Sequence, residues 1–200
     1  RDKVTTASLM RDVAIALLPA AVASGFLFGI RAVMMIIVSV ACCVLFEYLS
    51  RRIMKRENTI LDFSAIVTGI LLALNLPPTL PYYMIVLGAL FAIVVVKQMF
   101  GGLGNNFVNP ALAARIFLVI AFPTQMTHWT VREGAFSFFD SFLGKDLVSS
   151  ATPLAMMRNT VADAASGATS SATIAAESSS LPSLLSLFLG QKGGCIGEVC

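Results

Sequence analysis

The segment AVMMIIVSVACCVLFEYL, Ala32 to Leu49, runs directly into SRRIMKRENT, Ser50 to Thr59. The first part is an apolar run of about 18 residues, which at about 1.5 Å per helical residue approaches the roughly 30 Å hydrocarbon core of a bilayer. The second part carries four Arg/Lys and one acid. A short basic loop beside an apolar span marks the cytoplasmic side, so Ser50 to Thr59 is predicted to lie there.

Composition supports the same reading. The 200-residue chain is 57% hydrophobic and only 12% charged, too little charged surface for a soluble domain of this length. An all-α polytopic membrane protein is predicted, a helical bundle with short or broken helices. The net charge of +3 sits in a few short loops, which argues for membrane orientation and against a nucleic-acid partner.

Working outward, Val13 to Ile30 forms an earlier span, with Arg31 leaving room only for a tight hairpin. The third run, Phe63 to Leu76, is stopped by Pro77 and Pro78 before it is long enough for a full crossing, as expected of a half-helix or a tilted one. Tyr82 to Lys97 returns to the cytoplasm, where FGGLGNNFVNPA, Phe100 to Ala111, forms a turn with Pro110 suited to a helix start. A fifth run, Ala111 to Phe122, carries Arg115, a charge at membrane depth that must face a partner, a cavity or an interface.

Residues 1–122 are therefore expected to hold five membrane helices with cytoplasmic loops. Parity then puts 123–180 on the outer side and starts a further membrane segment within 181–200, at LPSLLSLFLG. A chain that opens on RDK and stops at Cys200 in a Gly-rich apolar context is expected to be a piece of a longer protein.

The cysteines carry no framework. Cys42 and Cys43 are adjacent within an apolar run, and Cys195 and Cys200 have neither a second pair nor a nearby histidine, so neither a disulfide set nor a metal site is predicted. His128 also lacks companions for metal binding. Glu47, near the end of its apolar run, is expected to snorkel, and Asp62 most simply caps the third helix, with cation ligation in an ion path as the alternative.

Two polar stretches break the outer region. DLVSSATPLA, Asp146 to Ala155, is echoed by DAASGATSSA, Asp163 to Ala172. Pro153 biases Thr152 to an extended conformation, which would present its hydroxyl on an accessible turn. Spacing alone is equally met by an ordinary Ser/Thr turn or helix cap.

Several motifs in order carry a resemblance: ALLPA at Ala16, FEYLSRR at Phe46, DFSAIVTGILLALNLPP at Asp62, FGGLGNNFVNPALAAR at Phe100, FPTQMTHW at Phe122, DLVSSATPL at Asp146 and GGCIGEV at Gly193. On these the chain resembles the family of the D subunit of the Rnf complex, a bacterial ion-translocating ferredoxin:NAD+ oxidoreductase. More distantly it resembles the B subunit of the sodium-translocating NADH:quinone oxidoreductase. The resemblance runs along nearly the whole chain, and the family continues for further helices.

The resemblance implies an FMN attached to a threonine oxygen by a phosphodiester, placed there by a flavin transferase that reads a motif like Asp-x-x-Ser-Gly-Ala-Thr outside the cytoplasm. Asp146, Ser149, Ala151 and Thr152 match it, with Ser150 at the usual glycine position. Asp163, Ser166, Gly167, Ala168 and Thr169 match even the glycine. The family motif continues with Pro-Leu, as at Pro153 and Leu154, so Thr152 is the expected site and Thr169 the alternative.

Beside it, Gly101, Gly102, Gly104, Asn105 and Asn109 form either a plain helix-breaking turn, a subunit interface or a site for a second, noncovalent flavin such as riboflavin. Arg115 would pair with a flavin phosphate or an acidic neighbour. The implied setting is the bacterial cytoplasmic (inner) membrane, multi-pass, with the Thr152 loop on the periplasmic side. Partners would be the other Rnf subunits, notably a flavin-carrying outer-side subunit and membrane iron–sulfur subunits. Electron relay would be coupled to Na+ or H+ movement. The rival readings are a quinone-reducing relative with the same flavin and a channel or secondary transporter built on half-helices.

Overall fold

The computed structural model describes residues 5–55, 62–102, 104–106, 108–131, 148–149 and 194–199. Helix α1 spans Thr6–Phe28 and α2 spans Ile30–Ile53. Both are long and apolar enough to cross a membrane. Shorter apolar helices follow: α3, Ser64–Leu74; α4, Tyr82–Leu90, which continues as a π-helical segment Phe91–Gln98; and α5, Pro110–Ala121. The bundle closes with the single turns α6, Pro123–Met126, and α7, Ile196–Val199. Beside these helices, among the described residues, lies one two-residue antiparallel ladder, β1 Thr130–Val131 with β2 Val148–Ser149. The chain is thus helical and polytopic, as its composition predicts. Of 181–200 only 194–199 are described, and most of 123–180 lies outside the described residues.

The α1–α2 hairpin turns at Gly29, not at Arg31. Gly29 has φ 76°, a left-handed value that costs glycine nothing for want of a Cβ, so one residue suffices to reverse the chain. Arg31 then falls inside α2, and its Nη2 donates to the Thr79 carbonyl at 3.0 Å.

Along α2 the buried positions are Ala32, Met35, Ser39, Cys43, Glu47, Ser50 and Arg51, steps of mostly three or four residues that define one inward face. Met34, Ile37, Leu45 and Leu49 face out. In a bilayer such outward apolar residues meet lipid that is as apolar as they are, so helix association depends on packing and on polar contacts. Both occur where α2 meets α3. A Cβ added at Gly69 would lie 2.7 Å from the Val40 Cα, and Ser39 Oγ donates to the Gly69 carbonyl at 2.8 Å.

Helix α3 is the centre of the bundle, with nine of its 11 residues buried. It ends as Pro77 and Pro78 require. Asn75 caps it, its Nδ2 donating to the Leu71 carbonyl at 2.7 Å. At its start the expectation fails: Phe63, in the left-handed region at φ 57°, occupies the cap position without a side-chain cap bond, so Asp62 does not cap α3.

The π winding after α4 is visible in its bonds. Met99 N donates to Val94 O at 3.1 Å and Gly102 N to Lys97 O at 2.9 Å, each five residues back. Wider turns bring consecutive side chains closer in direction, and Lys97 and Gln98 both point inward, at 1% and 0% exposure. A stacked pair, Phe91 and Phe117 with centroids 4.3 Å apart, joins this segment to α5. Helix α5 starts at Pro110, with Asn109 as its cap accepting from Ala111 N at 3.0 Å.

Candidate functional site

Polar groups inside the bundle gather at two levels. The first is the end that carries Arg51, Arg52 and Lys55, where α2, α3 and the π segment meet. Lys97 Nζ lies 2.9 Å from both Glu47 Oε1 and Oε2 and donates to Ser64 Oγ at 2.7 Å. Gln98 Nε2 donates to Glu47 Oε1 at 3.2 Å. Gln98 Oε1, also buried, has no hydrogen-bond partner among the described residues. Glu47 is 0% exposed. It does not snorkel, because α2 continues to Ile53 and leaves Glu47 well inside the helix and on its buried face.

The Gly-rich turn packs under this knot. Gly101 N donates to Gln98 O at 3.2 Å, Gly102 N to Lys97 O at 2.9 Å, and Asn105 N to Gly102 O at 3.3 Å, so these three amides close the turn upon the helix end. Gly102 has φ 96°, and a Cβ there would stand 2.6 Å from Arg51 Nη2. With its Nδ2 toward the protein, the Asn106 amide donates to the Gly102 and Val96 carbonyls at 3.2 and 3.3 Å. Gly104, with nothing near its Cβ position, and exposed Asn105 form the outer rim. Asn109 serves as the α5 cap. Asp62 lies beside the start of α3, half-buried.

The second level is the end of α3. Arg115 Nη1, from α5, donates to Asn75 Oδ1 at 3.1 Å; the partner that the sequence demanded for this charge is a neutral amide. Helix α7 approaches the same place, with Ile196 N donating to the Leu76 carbonyl at 3.2 Å. A Cβ at Gly197 would stand 2.9 Å from Leu74 Cβ and 3.0 Å from its carbonyl oxygen. Cys195 is buried there, within the field of both Arg115 and Glu198.

The threonine motif is a third place. Of Asp146 to Thr152 only Val148 and Ser149 are described; their backbone pairs with Val131 and Thr130 respectively. Asp146, Ser150, Ala151, Thr152 and Thr169 lie outside the described residues. Among the described residues no group of three or more potential metal ligands occurs.

Sequence reasoning missed Ser64, Lys97 and Gln98. A signal existed: Ser39, Cys43, Glu47 and Ser50 recur at helical spacing, which marks a polar stripe that cannot face lipid, and Lys97 is the one cation at the end of the fourth run.

The model of the NQR2, RnfD, RnfE family matches residues 1–200. The D subunit of a Na(+)-translocating ferredoxin:NAD(+) oxidoreductase complex of Acetobacterium woodii is 42% identical over 100% of this chain and 55% of that protein. The D subunit of a proton-translocating ferredoxin:NAD(+) oxidoreductase complex of Clostridium ljungdahlii is 38% identical over 77% of the chain and 44% of its own length. The D subunit of an ion-translocating oxidoreductase complex of Shewanella frigidimarina is 42% identical over 62% of the chain and 36% of its length. The chain spans about half the length of the curated relatives it matches, or less.

Proposed function

The chain belongs to the NQR2, RnfD, RnfE family, and from that premise we propose that it forms part of the membrane-embedded D subunit of an ion-translocating ferredoxin:NAD+ oxidoreductase, with FMN carried on Thr152. The observation that carries this reading is a similarity to a named D subunit along the entire chain, in which the Asp-x-x-Ser-x-Ala-Thr motif is included.

Attachment needs a hydroxyl on a slim, extendable peptide. Thr152 supplies the oxygen and Pro153 favours the extended backbone. The ladder fits this requirement, since Ser149, three residues ahead, is already in strand pairing with Thr130. In the maturation step the threonine oxygen forms a bond to the FMN phosphorus as the pyrophosphate bond of FAD breaks. AMP leaves and the hydroxyl proton is lost to solvent or a base of the transferase. Once attached, the flavin supplies one-electron redox chemistry at a high effective concentration. The chain's own part is to anchor the loop to a rigid helical bundle through α6 and the ladder.

The complex would sit in the bacterial cytoplasmic membrane, with the basic end of the bundle inside and the Thr152 loop outside. Its partners would be the remaining subunits and, during maturation, the flavin transferase. The electron relay would be coupled to Na+ or H+ transport. In-gel flavin fluorescence of the denatured full-length protein, coexpressed with the transferase, tests the assignment. The expected result is a fluorescent band that Thr152→Val abolishes and Thr169→Val leaves intact. A dark wild-type band defeats the redox reading; loss only in Thr169→Val moves the site.

A further inference from the structure

The bundle contains its own ruler. Glu47 meets Lys97 at the basic end, and Arg31, earlier on the same helix, meets Thr79 at the hairpin end, a separation of about 24 Å at about 1.5 Å per residue. Ser64, at the start of α3, also meets Lys97, so Asn75 at the other end of that helix stands about 16 Å above the same level. The Asn75–Arg115 contact is therefore inside the span, away from both ends.

A helix that stops at membrane depth leaves carbonyl groups at its negative end, and such ends coordinate cations in transport proteins. Here the place is taken. Arg115 bonds to the Asn75 amide that caps α3, and α7 closes on Leu76 and Leu74 from another direction without room for even one methyl group at Gly197. A fixed guanidinium where two helix ends approach this closely raises an electrostatic barrier to cations, as an arginine does in pores that exclude them.

We infer that Arg115 is the resident counter-charge of the α3 break and keeps this point of the membrane closed to passive cation flow. It is a positioning and barrier residue, and it would protect the gradient that the complex builds. The inference rests on the membrane fold and on the transport reading above, not on the flavin assignment.

The test uses the intact complex with its full-length D subunit in proteoliposomes, without electron donor, and follows radioactive sodium entry and proton leak. Arg115→Gln keeps a donor for Asn75 Oδ1 but removes the charge, and passive cation leak is expected to rise at least tenfold. Arg115→Lys keeps the charge and is expected to stay as tight as wild type. Tight Arg115→Gln vesicles, or Arg115→Lys vesicles as leaky as Arg115→Gln, overturn the inference. Should Arg115→Gln not assemble, Arg115→Met gives a second route that also removes the charge, and the same rise in leak is expected. Tight Arg115→Met vesicles overturn the inference equally. Wild-type vesicles without electron transfer would instead point to failure of the redox reading, since the leak is measured with no redox turnover.

Discussion

The two polar levels of the bundle solve the same problem in opposite ways. At the basic end a lysine and a glutamate neutralise each other, with Ser64 and Gln98 completing the shell, and the knot is sealed at 0–1% exposure for the charged pair. At the α3 break a single guanidinium, half-buried, rests on an amide and a helix end. An ion pair bonded through both carboxylate oxygens is a structural clasp, with buried Arg51 in the same field. A charge whose hydrogen bond goes to a neutral amide keeps more of its field, although Glu198 shares the neighbourhood, and acts on ions that approach. Charge at membrane depth is thus a fastener in one place and a barrier in the other.

The sharpest way to break this contrast is to remove one half of the clasp. Lys97→Met removes the cation bonded to both oxygens of buried Glu47 and is expected to cost about 3–5 kcal/mol, read as a lower thermal midpoint of the purified complex or its failure to assemble. Adding Glu47→Gln should recover most of that loss, because the buried charge is then gone. If the double variant is no better than Lys97→Met, the two residues do not form a closed pair.

Gly102→Ala comes next, at roughly 1–3 kcal/mol, since the added Cβ meets Arg51 and the backbone sits at φ 96°. The same thermal scan should show it, with the α3 break undisturbed and cation leak unchanged. Asn75→Ala frees Arg115 from its acceptor and is expected to cost about 1 kcal/mol, while raising leak more than any variant of the clasp that assembles. The smallest effect belongs to Ser64→Ala, which removes one bond from a network that keeps its ion pair: about 0.6 kcal/mol, near the average for such bonds between membrane helices. A larger loss there than in Asn75→Ala would reverse the ranking of the two levels.

Much of this architecture was legible in the sequence, for identifiable reasons. Paired prolines at 77 and 78 strongly favour a helix stop, and Asn109-Pro110 suits a helix start, so the α3 end and the α5 start were read from covalent chemistry. Arg115 announced that it needed a partner, though not that the partner would be the cap of α3. Three readings failed where local rules met longer helices or unusual winding. Glu47 sits near the end of an apolar run but not of its helix, which the basic residues extend to Ile53. Asp62 has the chemistry of a cap, yet Phe63 in a left-handed conformation takes the position. The hairpin turns at Gly29 because backbone freedom, not charge, decides where a one-residue reversal fits. The polar stripe on α2 and Lys97 at the end of the fourth run signalled the clasp, but the π winding that points Gln98 inward beside Lys97 leaves no pattern in composition or period.

The flavin assignment is tested most directly by mass spectrometry of the peptide that contains Asp146 to Ala155, taken from the full-length protein matured with its flavin transferase. This peptide is expected to carry FMN as a phosphodiester on Thr152, and the peptide with Thr169 to be unmodified. An unmodified Thr152 peptide from the fluorescent, assembled complex would contradict it.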